Sequence, residues 1–224
     1  MVQFGAIIAV LLYFRSDLIR LIGAGLRAIR SPAARADPDA KLAGYLVVGS
    51  IPVGVFGLAL KSVIEGPLRN LYVIVFALLA WSVVMVYAER HAAQNRSERQ
   101  LTLRDVVVMG FVQCIALIPG ISRSGATISA GLLRGVTRVE ATRLSFFLAI
   151  PALTAATVLE LPKALKNGAD LGPTLLGIAV AFVVAYASVA FLLRFVAGHK
   201  ITAFVPYRIA AAVVLLGLLV TNVV

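Results

Sequence analysis

The fold is decided by residues 106–135, which read VVVMGFVQCIALIPGISRSGATISAGLLRG. The first run, VVVMGFVQCIALI, has 13 residues. A helix of that length rises only about 20 Å, whereas the hydrocarbon core of a bilayer is roughly 30 Å thick. The run stops at Pro119 and Gly120, and a second short run, ATISAGLLRG, follows a polar loop. This pattern predicts a re-entrant helical hairpin, since irregular backbone at membrane depth is tolerated only inside protein or beside a wet cavity.

The composition of the chain places this hairpin in a membrane protein. Of the 224 residues, 61% are hydrophobic and 14% are charged, whereas soluble domains average roughly 45–50% and about 25%. The sequence therefore predicts an all-α polytopic integral membrane protein, with a single transmembrane domain over residues 1–224 and about six transmembrane helices. The predicted apolar segments are a short one at 2–14 and full spans at 42–60, 70–88, 144–161, 174–194 and 207–224.

An amphipathic segment lies between the first two apolar segments. One helical face of residues 15–35 is apolar, and Arg20 and Arg27 lie away from it. A short helix with this pattern is typical of the membrane–water interface. The predicted apolar face consists of Leu18, Ile22, Leu26 and Ile29.

The distribution of basic residues bears on the hairpin. The chain has 21 Lys and Arg against 10 Asp and Glu, a formal charge of +11. In a membrane protein such residues set topology or meet anionic headgroups, and no nucleic-acid partner is predicted. If the hairpin enters and leaves on one side, 16 basic residues share a side and 4 lie opposite; a single crossing would give 12 and 8. The positive-inside rule favours the hairpin. This count assigns Arg208 to a connector at 194–208.

The order of the segments indicates an inverted repeat. The first repeat covers 1–90, the hairpin 106–135, and the remaining helices of the second repeat 144–224. Three helices precede the hairpin and three follow it, so the two sets have opposite orientation. Such repeats place a binding site near the midplane, where discontinuous helices meet. By this symmetry the first repeat should also be led by a hairpin, and we expect that segment to be missing here. The alternative is that the three-plus-three order is a coincidence.

The hairpin loop carries the chemistry. A charged side chain at membrane depth costs about 2.5–3.5 kcal/mol, so Arg123 is a functional candidate by default. Its planar fork matches phosphate, and the second half-helix points free N–H groups into the loop. Serine and threonine hydroxyls and flexible glycines complete an anion site, for which phosphate is the favoured ligand. The alternative is that Ser124 only caps the helix and Arg123 pairs with a carboxylate elsewhere. Gln113 either faces this site or forms a buried interhelical hydrogen bond.

Other site chemistries find little support in the sequence. The single cysteine, Cys114, excludes an intrachain disulfide and a CxxC metal site. His91 and His199 are too few for a zinc cluster and lie in basic connectors. The sequence requires no cofactor and leaves a divalent cation (Mg²⁺ or Ca²⁺) open.

The run ALIPGISRSGAT, with FFLAIPA at 146–152 and the opening QFGAIIAVLLYFR, resembles the undecaprenyl-diphosphate phosphatase family, also called the bacitracin-resistance proteins. The resemblance covers nearly the whole chain. It implies a multi-pass enzyme of the bacterial cytoplasmic (inner) membrane, built from two re-entrant hairpins and six spans. Such an enzyme removes one phosphate from a C55 isoprenyl diphosphate and so recycles the lipid carrier of cell-wall synthesis. The resemblance implies that Arg123 and Ser122 are catalytic and that Gly120, Ser124, Gly125 and Thr127 bind the diphosphate.

The sequence departs from the family in one motif. The family carries in its first hairpin a Glu-rich segment followed by Ser-Ser-Thr-Gly-His, and no such run occurs here. Phosphoryl transfer needs charge stabilisation and an activated nucleophile. Arg123 supplies the first, and we expect the second to come from the missing segment.

Two other functions stay open on sequence grounds. A transporter or flippase-like protein for an anionic solute or lipid would use the same broken helix without hydrolysis. A non-catalytic membrane remnant is the third reading. The predicted partners are a polyprenyl diphosphate lipid and membrane lipid, and a homodimer is left open.

Overall fold

The computed structural model describes residues 3–166 and 171–221, and these form helices joined by short turns, with no β-strand among them. The all-α prediction is confirmed. The helices are α1 (Gln3–Tyr13), α2 (Arg15–Arg30), α3 (Pro38–Ala59), α4 (Lys61–Glu65), α5 (Leu71–His91), α6 (Leu103–Ile115), α7 (Arg123–Leu133), α8 (Arg138–Lys166), α9 (Leu171–Gly198) and α10 (Val205–Val220).

The long helices make this a polytopic membrane protein. Among the described residues, four stretches are long and apolar enough to cross a bilayer: Pro38–Ala59, Leu71–His91, Gly172–Gly198 and Ile201–Val220. Helix α8 has 29 residues, which is also enough length, and it begins at Arg138, six residues before the predicted span. Helix α1, with 11 residues, is too short to cross alone.

The helices group into two compact units. The first contains the described residues up to Val47 together with those of Phe146–Phe195. Its aromatic side chains cluster where α1 ends: Phe14 lies 5.1 Å from Phe147 between ring centroids, and Tyr13 lies 5.4 Å from Tyr186. Helix α1 also approaches α9 closely, because a Cβ on Gly5 would lie 2.1 Å from the carbonyl oxygen of Ile178.

Helix α2 of the first unit is the predicted amphipathic helix. It buries Leu21 and Ala24, while three of the four predicted apolar residues point outward. Arg20 pairs with Asp17 and Asp39. The apolar stripe therefore faces away from the protein, where an interfacial helix would meet lipid. Its exposed members are Ile22, Leu26 and Ile29, with Ile19 beside them.

The second unit contains Val48–Ser145 and the described residues from Val196 onward. Here α5 packs against α7 and α10, and α6 packs against α7. Glycines permit close packing against two further helices. A Cβ on Gly110 of α6 would lie 1.9 Å from the carbonyl oxygen of Gly49 in α3, and one on Gly131 of α7 would lie 2.8 Å from the Ala141 Cβ of α8. The second unit holds the candidate site.

Candidate functional site

The site is built on the turn between α6 and α7. Helix α6 starts at the N-cap Thr102, whose side chain accepts from the Asp105 N–H, and it ends at Ala116. The N–H groups of Leu117 and Ile118 then donate to carbonyls of the last helical turn, and Pro119 follows. Two short helices thus flank the loop that the sequence predicts, while re-entry of this hairpin into a membrane stays a prediction. We call residues 116–125 the turn end.

Gly120 lets the turn pack against α5. Its φ of +95° lies in the left-handed region that favours glycine. A Cβ at this position would lie 2.6 Å from the carbonyl oxygen of Ile74 and 3.0 Å from the Cβ of Ala77. A Cβ on Gly125 would lie 3.1 Å from the Ser122 Cβ. Both glycines are thus required for close backbone approach, as the sequence indicates.

Ser122 caps α7. Its Oγ accepts from the Gly125 N–H at 3.1 Å and lies 3.3 Å from the Ser124 Oγ. The sequence analysis had offered Ser124 as the cap, and that alternative is wrong. Within residues 3–166 and 171–221, the N–H groups of Arg123 and Ser124 have no protein acceptor, as expected for the first turn of a helix. Two N–H donors and two hydroxyls therefore meet at the N-terminus of α7, where the dipole favours an anion.

Arg123 opens α7 with its side chain exposed. No hydrogen bond or ion pair in the described part of the chain involves its guanidinium. The sequence alternative, in which Arg123 forms an ion pair with a carboxylate elsewhere, thus finds no such carboxylate among the described residues. The side chain is available to a ligand at the capped end of α7.

Thr127 and Gln113 lie behind the loop, and both are buried. The Thr127 hydroxyl donates to the Arg123 carbonyl at 3.0 Å and lies 3.4 Å from the Gln113 Oε1. A hydroxyl has one proton, so the shorter bond takes it. The Gln113 Nε2 is buried without a partner in the described residues. Gln113 is fully buried and its Oε1 faces the Thr127 hydroxyl of α7, while a role in the site stays a prediction. Thr127 braces the first turn of α7 from inside.

Arg208 contacts the turn end from α10 and is not among the site residues predicted from the sequence. Assigned from the sequence to a connector, it lies within α10 and is only 6% exposed. Its Nη2 donates to the carbonyl oxygens of Gly120 (2.9 Å) and Leu78 (3.2 Å), and its Nε donates to the Ser82 Oγ at 3.1 Å. The available signal was an arginine followed by the apolar run IAAAVVLLGLLV, since a charge inside a span is a functional-site hypothesis by default.

The opposite end of the hairpin, residues 94–105 and 134–138, is held together by ion pairs, and we call it the anchor end. Asp105 is fully buried and accepts from the Arg96 Nη2 at 2.7 Å and the Arg134 Nε at 2.6 Å. It also accepts from the N–H and hydroxyl of Thr102. Burial alone would raise the pKa of Asp105, but the bonds from Arg96, Thr102 and Arg134 together bring it well below its ordinary value.

Two further features close the anchor end. Helix α7 ends in a Schellman motif at Gly135, whose φ is +79°, with the Val136 N–H donating to the Gly131 carbonyl. Glu89, at the end of α5, receives a forked pair from Arg138 and a backbone N–H from Ile201. These carboxylates hold helix ends together and lie away from the turn.

Comparison with known proteins decides the family. The family model described as bacitracin resistance protein BacA matches residues 1–214. This chain belongs to the BacA family. It is 48% identical over 226 residues to a protein of Frankia casuarinae named Undecaprenyl-diphosphatase 3, with all of this chain and 81% of the relative covered. Proteins named Undecaprenyl-diphosphatase from Acidothermus cellulolyticus (47%, covering all of this chain and 81% of the relative) and Cutibacterium acnes (45%, all and 82%) are similarly close. The resemblance inferred from the loop motif is confirmed.

Proposed function

We propose that this protein dephosphorylates undecaprenyl, or another polyprenyl, diphosphate to the monophosphate and so recycles the lipid carrier of bacterial cell-wall synthesis. The observation that carries the proposal is the match to BacA-family proteins of that name over the whole of this chain. The turn end supports it with a site for phosphate: the exposed Arg123, the serine hydroxyls and the free N–H groups at the start of α7. We place the protein in the bacterial cytoplasmic membrane.

The residues of the loop divide the work of holding a diphosphate. Arg123 binds phosphate oxygens through its fork, and the charge-assisted hydrogen bonds strengthen as negative charge shifts in the transition state. Ser122 and Ser124 donate hydroxyl bonds, while Gly120 and Gly125 allow the backbone to approach. Buried Thr127 fixes the first turn of α7 through the Arg123 carbonyl, so its contribution to diphosphate binding is indirect.

Hydrolysis breaks the bridging P–O bond of the diphosphate as a new P–O bond forms. When water is the nucleophile, its proton passes to a base and the departing lipid phosphate gains its negative charge. Among the described residues, no hydrogen bond or ion pair joins a carboxylate to residues 119–127. Asp105 and Glu89 are committed to arginines at the anchor end. The described residues of the turn end therefore supply charge stabilisation and no carboxylate base.

A divalent cation is not built into the described site. Within residues 3–166 and 171–221, no group of three or more His, Cys, Asp or Glu side chains could hold a metal ion. The turn end offers hydroxyls, N–H donors and arginine, which suit an anion and not a cation.

The hairpin topology has a direct test. At the anchor end the N–H groups of Asn95 and Arg96 donate to the Gly135 carbonyl, and the Thr137 N–H donates to the Arg96 carbonyl. We propose that this end is cytoplasmic. In a Cys114→Ser background, Asn95→Cys and Thr137→Cys should both react with an impermeant thiol reagent only after the inner face is opened. Labelling from opposite sides would overturn the re-entrant proposal. Light scattering of the same preparations would show whether the protein is a homodimer.

The function is tested by phosphate release from a polyprenyl diphosphate in detergent. The wild-type protein is compared with its Arg123→Ala variant. We expect phosphate release from the wild type and far less from the variant, because the guanidinium fork stabilises the negative charge that shifts in the transition state. No phosphate release from the wild type would contradict the proposal. Movement of the lipid across proteoliposomes without hydrolysis by either protein would overturn the proposal and favour a transporter.

A further inference from the structure

We infer that Arg208 is a positioning residue of the diphosphate site: from α10 it holds the turn that carries Arg123, through the carbonyl of Gly120. This inference rests on the proposed function and adds to it a residue outside the loop motif. Arg208 lies 88 positions from Gly120 in sequence, and its bond to that carbonyl, 2.9 Å long, joins the last helix to the turn.

The bonds of Arg208 connect three segments of the second unit. Its Nη2 bridges the carbonyls of Gly120 in the turn and Leu78 in α5, while its Nε donates to the Ser82 Oγ. The Ser82 hydroxyl in turn donates to the Leu78 carbonyl at 2.7 Å. Because the serine proton is used there, its oxygen lone pairs face Arg208. The planar fork is thus fixed by α5 and aims one N–H at the turn.

The turn is clamped from a second direction. Gly120 lies so close to α5 that a Cβ would be 2.6 Å from the Ile74 carbonyl oxygen. The Gly120 carbonyl therefore accepts from Arg208, and the Gly120 Cα packs against α5. Only two residues separate Gly120 from Arg123, a distance of at most roughly 11 Å along the chain. A displacement of Gly120 would therefore move Arg123 and the cap Ser122 with it.

The charge of Arg208 argues against a purely structural brace. Arg208 is 6% exposed, and no ion pair in the described part of the chain neutralises it. The half-buried arginine Arg138, by contrast, is matched by the carboxylate of Glu89. An uncharged amide side chain could bridge these neutral acceptors without the free-energy cost of burying an unpaired cation. The positive charge of Arg208 beside the loop adds to the attraction that Arg123 exerts on an anion of two or more charges.

The experiment uses the purified wild-type protein in detergent and four variants of it. Arg208→Gln removes the charge and the fork, Arg208→Lys keeps the charge alone, and Ser82→Ala removes one acceptor of the fork. Arg138→Gln is the matched control, because it also removes a hydrogen-bonded arginine from the second unit, but a half-buried one at the anchor end. Each variant is measured for Tm and for the kcat and KM of phosphate release from farnesyl diphosphate.

A spectroscopic readout reports the position of the turn without any need for activity. A nitroxide is attached at Ile121→Cys in a Cys114→Ser background, and its mobility is measured by electron paramagnetic resonance. We expect Arg208→Gln to mobilise the label and Arg138→Gln to leave it unchanged. This measurement separates a moved turn from a protein that has merely lost stability.

We expect Arg208→Gln to lower kcat roughly 100-fold per folded protein, since misplacement of a site by about 1 Å costs on that order, with a smaller change in KM because the isoprenyl tail still binds. Arg208→Lys and Ser82→Ala should fall between this variant and the wild type. Arg138→Gln should lower Tm with kcat per folded protein retained. If the wild type hydrolyses while Arg208→Gln keeps its kcat or leaves the label immobile, the inference is overturned and the function stands. If neither the wild type nor any variant hydrolyses the diphosphate but Arg208→Gln mobilises the label, the proposed function fails, whereas the role of Arg208 in holding the turn stands.

Discussion

The two ends of the α6–α7 hairpin use arginine in opposite ways. At the anchor end, arginines meet carboxylates: Arg96 and Arg134 converge on Asp105. At the turn end, Arg123 and Arg208 have no carboxylate partner among the described residues, and Arg208 bonds only to two carbonyls and a hydroxyl. At the anchor end the buried carboxylates are thus used by arginines, whereas at the turn end the arginines have no carboxylate partner in the described part of the chain. One end is arranged to hold helices together and the other to receive an anion.

The difference follows from what each environment requires. A buried carboxylate is tolerated when its lone pairs are all used, and Asp105 accepts four hydrogen bonds. At the turn end the unused donors are the side chain of Arg123 and the first N–H groups of α7. Because Arg123 is exposed, these donors are open to a ligand or to water. Substitutions at the two ends should therefore separate stability from activity.

Arg123→Ala should give the largest effect, and it should fall on activity. Losing a charge-assisted pair that the bound diphosphate covers costs roughly 2–5 kcal/mol, which lowers kcat/KM by about 30- to 5000-fold. Arg123→Lys should fail nearly as badly, because lysine cannot form the bidentate fork. Phosphate release and Tm, measured for the purified wild type and for each variant, check both predictions. Near-normal turnover in Arg123→Ala would remove Arg123 from the site.

Asp105→Ala should give the largest effect at the anchor end, and it should fall on stability. The substitution strands two arginines that are partly exposed, so we expect a loss of about 2–4 kcal/mol, less than for a fully buried pair. For a chain of this size that lowers Tm by roughly 5–15 °C. Thermal unfolding in detergent measures it, with kcat per folded protein as the control. A large fall in kcat with Tm retained would contradict the division between the two ends.

The sequence revealed most of the turn end because its signals are local. Pro119 and Gly120 break the helix, Ser122 is a favoured N-cap residue, and Arg123 is conspicuous in an apolar region. These features depend on neighbours within a few positions, so the short helices could be predicted on both sides of the loop. The helix bounds were close as well: the span expected at 174–194 is observed as Leu171–Gly198.

The rest of the site depends on contacts between residues distant in sequence, which no local pattern contains. Arg208 meets Gly120 across 88 positions, and in the sequence it resembles one more basic residue at a span boundary. Glu89 and Asp105 are the first and last residues of the polar stretch 89–105, yet both are buried in ion pairs. Thr127 was assigned to the ligand by its place in the motif, and the fold turns it inward.

Gly120→Ala and Gly135→Ala compare the two ends through the same substitution. Both glycines have positive φ, which costs a residue with a Cβ roughly 1–2 kcal/mol. At Gly120 the new Cβ would also collide with the Ile74 carbonyl, whereas at Gly135 its nearest neighbour is 3.4 Å away. We expect Gly120→Ala to lower kcat at least tenfold and Gly135→Ala to lower Tm by a few degrees only. Equal kcat in the two variants would show that the position of the turn does not control activity.

The pH dependence of stability should show the smallest effect and should arise at the anchor end. The pKa of Asp105 lies below its ordinary value in the folded protein, so the folded state binds that proton more weakly than the unfolded state does. The stabilisation is therefore fully present above about pH 5 and is lost as the pH falls through the ordinary carboxyl pKa near 4 towards the folded value. Between pH 5 and pH 3 this single group should cost about 1 kcal/mol. Asp105→Asn cannot titrate, so its Tm should fall less steeply over that interval than the Tm of the wild type. Identical slopes would mean that Asp105 does not supply this part of the acid sensitivity, and that its bonds to Arg96 and Arg134 do not stabilise the folded protein.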